Sequence, residues 1–389
     1  MALSDEDLLA SAESAAQVVR AVAHRIHQNP ELRFEEHAAV GYLREALTAR
    51  GLGVEERLGG LETAFRARVG SGRGPHVAIL AEYDALPEIG HACGHNLIAG
   101  AALGAFLALA DRQGELEGTV DLVGTPAEAG GGGKIKLLDA GVLEGVDAAI
   151  MFHPFDRDLL AHPTLANTYI TFEFQGRPSH AAVAPHEGAS ALTACLQTFS
   201  LIDAQRVHFK DGVRVHGFVT NGGQAVNIIP ERAAAEFSVR SFELAELERV
   251  QEIVVRCARG AALACGVEVK VDVRPGYKNM RNNLALARRF GVHLEKLGRR
   301  AKEHDPEVGT GSTDMGDVSH AVPAIHAWLA ICDEGQTTCH QREFAACADS
   351  ERGYETMMTA AKALTLLGRD VLGDGALRAQ AHDEHRGRR

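Results

Sequence analysis

No apolar run in the chain reaches the roughly 18 residues needed to span a membrane. The most apolar stretch, Leu97 to Ala110, is short and rich in alanine and glycine. Basic residues are outnumbered, 40 Lys and Arg against 52 Asp and Glu, for a net charge of −12. That balance argues against a nucleic-acid backbone as partner. The opening MALSDEDLLA has acids where a signal peptide carries basic residues, so a cytoplasmic protein is expected. Cysteine is sparse and odd in number, seven without framework spacing, which fits reduced thiols. Tryptophan occurs once, against 19 histidines. Histidine at that frequency either decorates the surface or does chemistry.

What is present suits a soluble globular protein: 46% hydrophobic and 24% charged residues over 389 positions. That length allows two to three domains of about 150 residues and a full core without staples. Helix spacing covers 4–26 and 36–50, the latter closed by Gly51. Short apolar strands, Val77–Leu80, Val120–Val123 and Ala148–Phe152, alternate with helices over 97–112 and 134–140. This order predicts an α/β fold with a mostly parallel sheet and helices on both faces. The pattern then changes. A half-exposed strand around Ile170–Phe174, a helix over 187–206, strands around Val213–Val219 and Ala235–Val239, a helix over 244–264 and a strand at Val267–Val273 follow. That order, β-α-β-β-α-β, is the ferredoxin-like unit. The α/β pattern resumes after Gly276, with a helix near 282–297, a strand at Ala324–Ile331 and a helix near 351–367. The expected organisation is 1–166 and 278–389 as one domain, with 167–277 inserted into it. The last residues, HDEHRGRR, are charged and expected to fray.

Five places could carry chemistry. In His91-Ala92-Cys93-Gly94-His95-Asn96, Cys93 and His95 leave one turn together and could converge on a metal; a helix-capping turn reads equally well. Glu128 sits in Gly124–Gly130, at the sheet edge where open α/β folds place their sites; a solvated loop acid is the bland alternative. The adjacent glycine run is no phosphate loop, because Lys134 is followed by Ile135 rather than Ser or Thr. His153 ends the third strand, and His340 lies in a loop beyond the Ala324–Ile331 strand. Together these make a zinc-like or manganese-like site plausible. In the inserted unit, His180 and Asn227 could donate to an oxyanion or carboxylate, or could be ordinary turn residues.

Taken together, His27–Leu32 with Glu35-Glu36, Glu82–Pro87, His91–Asn96, Gly124–Lys134, Arg177–Ala182, Gly222–Pro230 and Gly311–Gly316 resemble the M20 metallopeptidase family. They fit its amidohydrolase branch, subfamily D, with its aminobenzoyl-glutamate hydrolases and dipeptidase-like proteins. The segments occur in family order and span nearly the whole chain. The resemblance implies a zinc-exopeptidase-like domain holding one or two divalent metals, Zn or Mn. It also implies an inserted lid that forms a homodimer. Its substrates would be small N-acyl amino acids or dipeptides, with no nucleic acid or membrane involved. By motif position, Cys93, His95, His153 and His340 would be metal ligands, Glu128 the general base and Asp84 the group orienting the metal site. His180 and Asn227 would contact substrate. A metal would polarise the amide carbonyl and acidify water. Glu128 would move the proton to the leaving amine, His180 would stabilise the oxyanion, and lid closure would exclude water.

One position departs from the pattern. The family carries two consecutive glutamates, the second a metal ligand, and here Glu128 is followed by Ala129. An engineered substitution, a single-metal variant and an inactive relative all accommodate this; the other motif positions are intact, which favours the first two, and weakened metal binding and low activity are expected of the chain. Two rivals to the hydrolase remain: an inactive binding or regulatory protein that keeps the pocket, and a thiol enzyme using Cys93 as nucleophile.

Overall fold

The computed structural model describes residues 3–387. The chain folds into two compact units: Met1–Pro163 with Met280–Gly309 and Thr313–Arg389, and Thr164–Asn279 with Thr310–Ser312.

The strands of the first unit are β1 (Val54–Glu56), β2 (Phe65–Gly70), β3 (His76–Ala81), β4 (Thr119–Gly124) and β5 (Ala148–Phe155). The second unit contributes β6 (Ala166–Gln175), β7 (Arg214–Asn221), β8 (Arg232–Ser241) and β9 (Glu268–Pro275), and the first unit resumes with β10 (Ala324–Ala330). In the first unit the sheet order is β1-β2-β4-β3-β5-β10. β3, β4, β5 and β10 are parallel, and β1 and β2 join as an antiparallel edge. β3, β4 and the edge strand β10 are buried almost throughout, as a sheet covered on both faces requires. The helix His95–Ala110 is buried along its whole length. Gly100 and Gly104 let it lie close to the long helix Glu351–Gly373: a Cβ on Gly100 would stand 2.3 Å from Met357 Sδ.

The second unit is a four-stranded antiparallel sheet, β7-β8-β6-β9, with helices Ala191–Gln205 and Leu244–Cys265. Ile170, Phe172 and Phe174 alternate inward on β6 and share a core with Phe237, Val250 and Val254.

Three local expectations are corrected. The helix over 4–26 is two helices, Asp5–Ser14 and Ala16–Gln28, that meet at Ala15. The antiparallel strands β1 and β2 are an addition to the expected strands; Phe65, Ala67 and Val69 alternate inward on β2. The charged tail is a helix, Gly375–Gly387, rather than a frayed end; Arg388 and Arg389 lie outside the described residues. Its charges explain why. The Glu384 carboxylate accepts the N–H groups of Leu284 and Ala285, at 2.9 and 3.0 Å. These are the first orphan donors of the helix Leu284–Lys296. His382 bonds Asp147 at 2.9 Å, and His385 is buried.

Candidate metal centre

The parallel strands run into the site at their C-terminal ends, where open α/β sheets bind ligands. Glu82 and Asp84 follow β3, Glu128 follows β4, His153 lies on β5 and His326 on β10. Gly94, at φ +75°, caps the helix that begins with His95 and so sets Cys93 and His95 in one turn.

The ligand atoms of Cys93, His95 and His153 all lie within 4.8 Å of one another. Both imidazoles are held in the same tautomer. Nδ1 of His95 is 2.8 Å from the Asp84 carbonyl and 3.0 Å from Asp84 Oδ1. Nδ1 of His153 is 2.7 Å from the Pro154 carbonyl. A carbonyl only accepts, so Nδ1 carries the proton and Nε2 the lone pair in each ring. His153 Nε2 lies 3.7 Å from Cys93 Sγ. This is the donor arrangement of a soft, divalent-metal site, and its imidazoles are oriented from behind as metal-bound histidines usually are. Two further features fit an ion. Nε2 of His95 and Oε2 of Glu82 are buried without a hydrogen-bond partner. The surrounding carboxylates also outnumber the nearby buried lysine.

The charges shape one another. A hydrogen bond from Cys339 holds the Cys93 thiol well below its usual range, against the effect of burial; His95, His153 and His340 add to the lowering. The same contact pushes Cys339 well up, so Cys93 is the thiolate of the pair. Cys339 therefore belongs to the site rather than to the incidental thiols. Burial opposes charge on His95, but Asp84 and Cys93 outweigh it and raise its pKa. Burial, then the negative charge of Glu82, pushes Glu128 well above the carboxylate range. Asp84 is pushed up by burial and pulled down further by His95, ending low.

The remaining expected residues fall as follows. His340 has φ +72° and donates its N–H to the Ala92 carbonyl at 2.9 Å. A hydrogen bond to Cys93 raises its pKa, but it is not in the group of three mutually close ligands. Ala129 offers no side-chain donor; its N–H bonds Asp84 Oδ2 at 2.9 Å. In the second unit, His180 and Asn227 share one neighbourhood. His180 pairs with Ile228 as an isolated bridge, and Ala181 N–H bonds the Asn227 carbonyl at 3.0 Å. His180 Nδ1 accepts from Ala182 and Val183 N–H, so its Nε2 carries the proton in the neutral ring.

Several site residues escaped sequence reasoning. Lys134, tested only against a phosphate loop, is a buried cation between Glu82 (2.5 Å) and Asp314 (2.7 Å). Burial opposes its charge, yet Asp314 and Glu82 raise its pKa. His326 is buried on β10, its ring 5.2 Å from that of His153. Trp328 Nε1 donates to its Nδ1 at 3.0 Å, which leaves Nε2–H as a donor rather than a ligand. A polar residue in a strand buried on both faces was the available signal.

A mostly parallel α/β sheet with a Cys/His cluster at its carboxyl edge is the arrangement of a metal-dependent hydrolase. Residues 78–363 match the peptidase family M20/M25/M40. The chain belongs to that family. It is 36% identical over 382 residues to a mouse (Mus musculus) Xaa-Arg dipeptidase, covering 94% of this chain and 88% of the relative. It is 28% identical over 440 residues to a p-aminobenzoyl-glutamate hydrolase chain of Escherichia coli (strain K12), covering 94% and 91%. A dinuclear metal-binding M20 peptidase from Bacillus subtilis superposes with a TM-score of 0.70 at 23% identity, over 92% of this chain and 99% of that one. The protein is thus a metal-dependent enzyme of amide-bond hydrolysis acting on small molecules, and the inactive alternative finds no support in these relatives. Among the described residues, no helix is long and apolar enough to cross a membrane.

Proposed function

We propose that this enzyme cleaves N-acyl amino acids or small dipeptides. Cys93, His95, His153 and His340 hold the divalent ion, Zn or Mn. The supporting observation is the pair of imidazoles fixed with Nε2 beside the Cys93 thiolate. The dipeptidase and N-acyl hydrolase names of the relatives support the substrate class.

A divalent ion supplies carbonyl polarisation and water acidification there. The chain's own residues do the rest. Glu128, buried and raised in pKa, accepts a proton from water and delivers it to the leaving amine. Asp84 holds His95 in its ligating tautomer. His180 and Asn227, on the inserted unit 167–277, bind substrate, and His180 donates from Nε2–H to the oxyanion. That unit serves as lid and homodimer surface, and the enzyme works in the cytoplasm. Ala129 weakens metal binding.

Metal analysis of the purified protein, beside hydrolysis of an N-acyl amino acid and dipeptide panel, tests this reading. Glu128→Gln is expected to cut turnover by about 10²–10⁴-fold with bound metal retained. Full turnover in that variant, or a parent chain that takes up neither Zn²⁺ nor Mn²⁺, overturns the reading.

A further inference from the structure

We infer that Glu82 supplies the carboxylate that position 129 lacks, as a ligand to the divalent ion alongside His95. The inference rests on the metal site proposed above and goes beyond its ligand set.

Glu82 emerges directly from the end of β3 and is fully buried. Its Oε1 accepts from Lys134 Nζ at 2.5 Å. Its Oε2 has no hydrogen-bond partner and lies 3.4 Å from His95 Nε2, which also has none. Because Asp84 takes the proton of His95 at Nδ1, that Nε2 presents a lone pair. In the neutral ring these two buried lone-pair atoms face each other, a contact that either a proton on Nε2 or a cation between them relieves; ligation takes the place of the proton. Oxygen and nitrogen ligands bound at 2.0–2.1 Å in a tetrahedral site stand about 3.4 Å apart; Glu82 meets that spacing to His95, though like His340 it lies outside the group of three mutually close ligand atoms. Glu128 Oε2 is 3.8 Å from the same nitrogen.

Charge points the same way. Glu82, Asp84, Glu128 and Asp314 are all buried, and Lys134 is the buried lysine among them. Lys134 engages one oxygen of Glu82 and one of Asp314, so Glu82 Oε2 is left to face His95 alone, where a cation would neutralise it. If Glu82 served only to pair Lys134, one oxygen would suffice and Oε2 would be desolvated for nothing. As a ligand, Glu82 uses both oxygens, one on Lys134 and one on the ion. Ala129 meanwhile keeps only its backbone role on Asp84.

The test compares the full-length parent with Glu82→Gln, Glu82→Asp, Ala129→Glu and Glu82→Gln/Ala129→Glu. Zn²⁺ and Mn²⁺ equivalents are measured by elemental analysis and affinity by chelator competition. Absorption of the Co²⁺-loaded proteins reports the ligand set directly. Glu82→Gln is expected to bind at least about tenfold more weakly, with an altered Co²⁺ spectrum, and Ala129→Glu is expected to restore binding in the double variant. Glu82→Asp keeps a charge for Lys134 but shortens the reach, so it carries the test should Glu82→Gln fail to fold. Folded Glu82 variants with parental affinity and spectrum overturn the inference and leave the metal site standing. A loss that Ala129→Glu does not relieve also overturns it, because Glu82 would then act only through Lys134. A parent chain that binds no metal overturns both readings.

Discussion

Asp84 divides its carboxylate between two tasks: Oδ1 faces His95 Nδ1 at 3.0 Å, and Oδ2 accepts the Ala129 N–H at 2.9 Å. The imidazole and the loop after β4 are therefore positioned by one buried side chain. Asp84→Asn has a single oxygen and must abandon one partner. Its amide N–H would oppose either the His95 N–H or the Ala129 N–H. Metal affinity, read by chelator competition, is expected to fall about 10–100-fold. Unchanged affinity would mean that the Asp84 carbonyl, 2.8 Å from the same nitrogen, holds the tautomer alone.

Asp370 joins two helices, Leu284–Lys296 and Glu351–Gly373. Its Oδ2 lies 2.7 Å from Arg289 Nη1 and 2.8 Å from His293 Nε2. Burial pushes its pKa up, but His293 and Arg289 outweigh that and depress it. A depressed carboxylate stabilises the fold above its unfolded pKa, and that stabilisation is lost as pH falls through the folded value. Asp370→Asn removes the charge that Arg289 and His293 share, while Arg289 keeps Asp374 at 3.0 Å, so the cost at neutral pH should be about 1.5–3 kcal/mol by denaturant titration. The gap to the parent should narrow as the pH falls below the ordinary carboxylate range.

Much of this is legible in residue order alone. Apolar runs and their alternation locate most of the strands from β3 to β10, because burial on one or two faces leaves a direct trace in the sequence. The ligand turn at Cys93 and His95 is legible for the same local reason. What escapes depends on contacts distant in sequence. Lys134 becomes a site residue only when Asp314, 180 positions later, closes on it. Glu384 reads as part of a solvated tail until it meets the start of a helix 100 positions upstream. His326 hides in an apolar run whose period says only that the strand is buried. Ala129 is visible as a missing ligand, but the pairing of Glu82 with His95 requires geometry.

Glu36 predicts a pH dependence of the opposite sign. It is fully buried and accepts from Thr63 Oγ1 at 2.7 Å and Ala127 N–H at 2.8 Å. Burial pushes its pKa up to about 7, with the Thr63 hydrogen bond opposing. The folded state therefore binds this proton more tightly than the unfolded state, whose value is near 4.5. Its contribution to stability is fully present below the unfolded value and falls as pH rises, levelling off above about 7. The expected span is roughly 3 kcal/mol. Glu36→Gln should remove that slope from a series of urea melts between acid and neutral pH. An identical slope in the variant would place the dependence elsewhere.

Gly94 sets the ligand turn through its backbone. Its φ of +75° is disfavoured for residues with a Cβ, and a Cβ there would stand 2.5 Å from Pro154 Cγ. Pro154 in turn carries the carbonyl that fixes His153. Gly94→Ala therefore strains the turn between Cys93 and His95 and displaces the support of a third ligand in one change. The backbone strain alone is worth about 1–3 kcal/mol, so the melting temperature should fall. Metal occupancy should fall more steeply than stability, because three ligand atoms now within 4.8 Å of one another must separate as the turn relaxes. Elemental analysis of the folded fraction measures this. A destabilised variant that keeps its full metal complement would show that the ligands adjust independently of the turn.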